Sequence, residues 1–156
     1  MVTLLKRNIV YNNNWYKKIK LFICKEQKLL ILMAAAILSF MMFFPIVVAT
    51  SVFKVLDEKQ SSKFLRIFFP KYYLFGFVLS LIGLILSIYY EYKSSILIFL
   101  LIMIGFIFSR QVLMPMINRA KDLNNENKYN KLHKLSVFIN FLQIIGCIFL
   151  LVNYLK

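Results

Sequence analysis

LLILMAAAILSFMMFFPIVVATSVF, Leu29 to Phe53, runs for 25 residues without a charge, and its reading decides the fold. At about 1.5 Å per residue a helix of this length exceeds the ~30 Å hydrocarbon core of a bilayer even with some tilt. A cleaved signal peptide is the competing interpretation, because Val47-x-Ala49 loosely fits a cleavage site. The 28 residues ahead are long for the basic leading region, and the apolar run outlasts the usual 7–15 residues. Leu29–Phe53 is therefore expected to be a spanning helix. Pro45 is expected to kink it, with Ala49, Thr50 and Ser51 near enough to help satisfy freed backbone groups.

Three further runs follow. Tyr72–Tyr90 is bracketed by Tyr72 and Tyr73 at one end and Tyr89, Tyr90 and Tyr92 at the other, as aromatic side chains sit at headgroup depth. A third span is placed at about 94–114; its strictly uncharged part, Ser94–Ser109, is 16 residues, so Arg110 is expected at or just inside the far boundary. There it either snorkels to the headgroups or acts as a buried functional charge. Leu135–Leu155 is the fourth span. The expected fold is all-α and polytopic: residues 1–28 form a basic N-terminal segment and residues 29–156 a bundle of four transmembrane helices. Within the first segment Trp15, Ile19, Phe22 and Ile23 share one helical face apart from Lys17, Lys20 and Lys25, which predicts a short amphipathic helix in the interface.

Composition agrees. Apolar residues make up 61% of the 156, against roughly 45–50% in soluble domains, and the charges fall in blocks between the runs. The net charge of +14 would suggest nucleic acid in a soluble chain. Basic residues beside spans attract anionic headgroups at about 1 kcal/mol each. The expected partners are thus the anionic bilayer surface and another membrane protein or a second copy of the chain, with no nucleic acid. Nine Lys and Arg fall on the side of the termini and eleven on the other, which decides no orientation. A basic amphipathic tail favours cytoplasmic termini, both on one side of a cell membrane, the inner or plasma membrane in a bacterium.

The fourth span carries the most informative polar pattern. At 100° per residue His133, Ser136, Asn140, Gln143 and Cys147 fall within about 80° of arc. Unpaired amides are costly in hydrocarbon, so this stripe should face other helices or a hydrated crevice. Gln111, Pro115, Asn118 and Asp122 share a face if the third helix stays regular, and they are the expected partners of the stripe. A hairpin there would bring Asn118, Arg119 and Asp122 near His133, giving either a titrating pair or a plain surface ion pair. On the second span Gly76, Ser80, Gly83 and Ser87 recur at steps of four, three and four, a strip of small residues suited to close helix packing.

Catalytic signatures are missing. One histidine excludes a bis-histidine haem or a multi-histidine zinc site within one chain, and Cys24 and Cys147 form no Cys-x-x-Cys unit. Met33, Met41, Met42, Met103, Met114 and Met116 are read as adaptable packing in preference to a thioether copper path. There is no phosphate-binding glycine loop, Gly-x-Ser-x-Gly or His-Glu-x-x-His. The expectation is no catalytic residue, metal or cofactor, hence a non-enzymatic component or partner subunit. The alternative is a small transporter or channel-like module with a polar path along the fourth helix; an enzyme using His133 with Asp122 is the weakest case.

Phe69-Pro70-Lys71-Tyr72-Tyr73 opens the second span, Pro115-Met116-Ile117-Asn118-Arg119 with Asp122 follows the third, and Leu132-His133 with Ser136 and Asn140 enters the fourth. In this order they resemble the transmembrane-protein-205-like family, four-helix membrane proteins of a domain of unknown function (4149). The likeness runs from about Leu29 to Tyr154. It implies an integral membrane protein with marked polar residues at the ends of spans three and four, and it implies no reaction. Family members start almost directly with the first span, whereas this chain adds a basic tail.

Overall fold

A computed structural model describes residues 27–155, which form four successive helices. These are α1 (Gln27–Val55), α2 (Glu58–Tyr89), α3 (Lys93–Asp122) and α4 (Glu126–Leu155). All four are long and apolar enough to cross a membrane. The chain is an all-α, multi-pass membrane protein. The predicted interfacial helix around Trp15 to Ile23 lies outside the described residues.

The helices outrun their apolar stretches. With 29 to 32 residues each they measure roughly 44–48 Å, against a core of ~30 Å. The excess sits largely at one end: α2 starts 14 residues before Tyr72, α3 continues past Met114 to Asp122, and α4 starts nine residues before Leu135. Span limits drawn from hydropathy therefore fall short of the helix limits. Hydropathy stops at the first charge, whereas Glu, Lys, Arg and Gln are good helix formers and carry the helix into water.

Short turns connect the helices, each closed by its own chemistry. Asp57 caps α2, its Oδ1 accepting from the Gln60 N–H at 2.7 Å. Between α2 and α3, Glu91 takes the left-handed conformation with φ 60°, so that the Tyr92 N–H reaches Ser87 O at 3.0 Å and the Glu91 N–H reaches Ile88 O at 3.1 Å. Asn124 does the same after α3 with φ 50°, and Asn125 then caps α4 by accepting from the Lys128 N–H at 3.0 Å. Turns this short force antiparallel neighbours. Residues 27 and 155 consequently lie at the same end of the bundle.

The core is built on close approach of α2 and α3. Gly76, Ser80, Gly83 and Ser87 are all buried, and a Cβ added at Gly76 or Gly83 would stand 2.5 Å from the ring of Phe106 or Phe99. Ser80 and Ser87 turn their hydroxyls onto the carbonyls of Gly76 and Gly83, at 2.9 and 2.7 Å, and so pack as small residues with no unmet donor. α1 joins through Phe40, whose ring meets Tyr72, Phe75 and Phe106 at centroid distances of 5.0, 5.3 and 5.9 Å.

Two helices contain a wide π turn beside a proline: Phe44–Ala49 around Pro45, and Ser109–Leu113 just before Pro115. A proline ring removes an N–H and crowds the carbonyl one turn back, and a wider turn accommodates both effects. In α1, Thr50 Oγ1 donates to Ile46 O at 2.7 Å and Ser51 Oγ to Val47 O at 2.7 Å, while Ala49 has only its backbone to offer.

Candidate functional site

α4 lies against α3 with its polar stripe in the interface. Ser136, Gln143 and Cys147 are buried and Asn140 is half-buried. Gln143 has a defined partner: its Nε2 donates to Ile102 O at 2.9 Å. A helical carbonyl has a second lone pair available, so the bond leaves the ladder of α3 intact. Gly105 makes the approach possible, since a Cβ there would stand 2.8 Å from the same Nε2. Two helical turns earlier on α4, Ser136 Oγ meets Tyr73 OH of α2 at 3.4 Å, a long contact in which either hydroxyl can donate. At the opposite end of the bundle Tyr154 OH bonds to Ser95 Oγ.

Some of the stripe's capacity is unmatched. Asn140 Oδ1 and Gln143 Oε1 are buried without a hydrogen-bond partner, and so are Ser109 Oγ and Arg110 Nε on α3. The antiparallel register that sets Gln143 against Ile102 and Gly105 brings Ser109 to the level of Ser136 and Asn140. Three unpaired oxygens thus share the middle of the α3–α4 interface.

The expected cluster at the membrane surface is arranged differently. Asp122 faces α2, not α4: Arg66 grips it with both terminal nitrogens, Nη1 to Oδ2 at 3.2 Å and Nη2 to Oδ1. Beside it Lys121 Nζ lies 3.5 Å from Glu58 Oε1. His133 is exposed and stacks on Tyr129 of its own helix, with centroids 5.9 Å apart and rings 3° from parallel. Among the described residues no ion pair joins His133 to Asp122. The regular-helix assumption fails at Ser109–Leu113, where the wide turn changes the face presented by everything beyond it. Gln111, Pro115 and Arg119 are exposed and Asn118 is half-buried, whereas Leu113, Met114 and Ala120 point inward. The groups opposite the stripe are Ile102 O, Gly105, Ser109 and Tyr73.

Arg66 was not singled out by the sequence reading because it falls outside the apolar run that defines the second span. The cap Asp57-x-x-Gln60, continued in helical phase, would have placed it on α2. Among the described residues no three His, Cys, Asp or Glu side chains converge as metal ligands. Met41 and Met114 are buried, and Met33 and Met103 pack against the core.

Comparison with known proteins gives one family: the model described as "Domain of unknown function (DUF4149)" matches residues 32–126. The matched stretch contains Phe69–Tyr73 and Pro115–Asp122 but ends at the first residue of α4, so the likeness extended to Tyr154 on Leu132, His133, Ser136 and Asn140 lies beyond it. No curated protein and no solved structure matches.

Proposed function

The chain belongs to this family, the transmembrane-protein-205-like domain of unknown function, and from that premise we propose that it is a non-enzymatic component or partner subunit of a membrane assembly. The observation that carries this reading is the Gln143 bond to the Ile102 carbonyl, because it engages the stripe's most buried amide in holding α4 on α3. Two clefts among the described residues, one beside Arg110 and one beside Arg66, have no stripe residue in their lining. The basic residues ahead of α1 favour an orientation with both termini in the cytoplasm.

A second reading draws on a different observation. The unpaired oxygens of Ser109, Asn140 and Gln143 would suit a file of water or a polar solute, as in a transporter or channel-like module. Gln143→Leu separates the two. An interhelical bond of this kind contributes about 0.6–1.7 kcal/mol, so the variant should unfold more readily in detergent by that amount, and vesicles carrying wild type or variant should leak ions and small polar solutes equally slowly. Wild-type vesicles that leak, with flux abolished in the variant, would establish the path and remove the structural role.

A further inference from the structure

Arg110 lies 17 residues beyond Lys93, about 26 Å along α3, still within the ~30 Å hydrocarbon thickness. Its guanidinium cannot lose its charge and needs an anion or water. The chain provides no such anion among the described residues. Asp122 is taken by Arg66 and Glu58 by Lys121, Asp57 caps α2, Glu126 opens α4, and Glu91 sits at the far end of the bundle. Arg110 Nε is buried with no partner.

Beside Arg110, between α2 and α3, is a partly open crevice of about 220 Å³ lined by Leu74, Phe77, Phe106, Ile107, Arg110 and Gln111. Leu74 and Ile107 are 43% and 41% exposed, so the crevice opens on the outer, lipid-facing surface. Its parts are ordered by depth. The four apolar residues lie toward the membrane centre, because α2 runs inward from Tyr72 through Leu74 to Phe77 while α3 runs outward from Phe106 to Arg110. Arg110 and Gln111 close the end nearest the headgroups.

We infer that this crevice holds an anionic phospholipid, its phosphate on Arg110 and Gln111 and one acyl chain along the apolar floor. The planar fork of arginine matches two phosphate oxygens at once, and the Gln111 amide can donate to an ester or a further phosphate oxygen. The crevice is smaller than the ~300–1,000 Å³ that encloses a whole soluble ligand. It fits one end of a molecule whose remainder stays in the bilayer. The site is independent of the role proposed for the α4 stripe and is read by lipid retention, not by unfolding or flux, so either idea can fail alone.

The test is native mass spectrometry of the full chain in an uncharged detergent, with phosphatidylglycerol, phosphatidylcholine and inorganic phosphate as probes. Phosphatidylglycerol should be retained about tenfold more tightly than phosphatidylcholine, and inorganic phosphate should not be retained. Arg110→Gln should abolish the preference. Lys63→Gln, which removes a cation from the water-exposed start of α2, should leave it within about twofold. Ile107→Trp keeps the cation but fills the floor and should weaken retention of phosphatidylglycerol; it decides the matter even if Arg110→Gln does not fold. Equal retention of the two lipids, retention of inorganic phosphate alone, an undiminished preference in Arg110→Gln, or undiminished retention of phosphatidylglycerol in Ile107→Trp would overturn the assignment.

Discussion

Adding one methyl group at Gly83 should loosen the bundle where the same change at Gly146 does not. A Cβ at Gly83 would stand 2.5, 2.6 and 2.8 Å from Cε1, Cδ1 and Cζ of Phe99, against about 3.5–4.0 Å for carbon atoms in ordinary contact. Either the ring or the helix must move by roughly 1 Å. Phe99 is completely buried and a ring cannot fold away, so the strain passes to the α2–α3 spacing. At Gly146 the nearest atom is Ile98 Cγ2 at 3.2 Å, which has to give by only a few tenths of an ångström, with the next neighbours at 3.6 and 3.9 Å. Both glycines lie inside helices, so Gly83→Ala and Gly146→Ala share the same gain in helix propensity, about 1 kcal/mol. That gain cancels in the comparison, leaving the packing cost. Overpacking of a close contact typically costs about 1–3 kcal/mol, and Gly83→Ala should be the less stable variant by that much. Reversible unfolding in mixed micelles, followed by far-ultraviolet circular dichroism, measures the difference. Combining Gly83→Ala with Phe99→Leu should cost less than the sum of the two single changes, because the smaller side chain vacates the contested space. Equal stability of the two alanine variants, or simple additivity in the double variant, would refute the claim that ring-on-glycine packing sets the helix spacing.

Two other outcomes follow from the turns. Glu91→Gly relieves a left-handed conformation at a non-glycine residue and should raise stability by about 1 kcal/mol in the same unfolding assay; a lower midpoint would show that the Glu91 side chain has a stabilising contact of its own. With Cys24 and Cys147 replaced by Ser, a membrane-impermeant maleimide should label Lys59→Cys and Lys128→Cys from one side of sealed vesicles and Glu91→Cys only from the other. Labelling of all three from one side would contradict four crossings.

Much of the architecture is legible from single stretches of chain. Leu29–Phe53 and its three counterparts announce spanning helices because hydrocarbon offers no partner to backbone N–H and C=O groups, and a helix alone satisfies them within one segment. The stripe Ser136, Asn140, Gln143 and the small-residue strip Gly76 to Ser87 are visible for the same kind of reason: each is a periodicity within one helix. Where one helix meets another, that information ends. The pairing of Asp122 with Arg66, of Gln143 with the Ile102 carbonyl, and of Phe99 with Gly83 each depends on the rotation and register of two helices at once. The wide turn at Ser109–Leu113 resets that rotation midway along α3, and no reading that assumes 3.6 residues per turn can anticipate it. Solvent preference, which acts on each segment separately, is written in the residues; the choice of partner for Asp122 and Gln143 belongs to the packed bundle, because a side chain can bond only to what the neighbouring helix turns toward it.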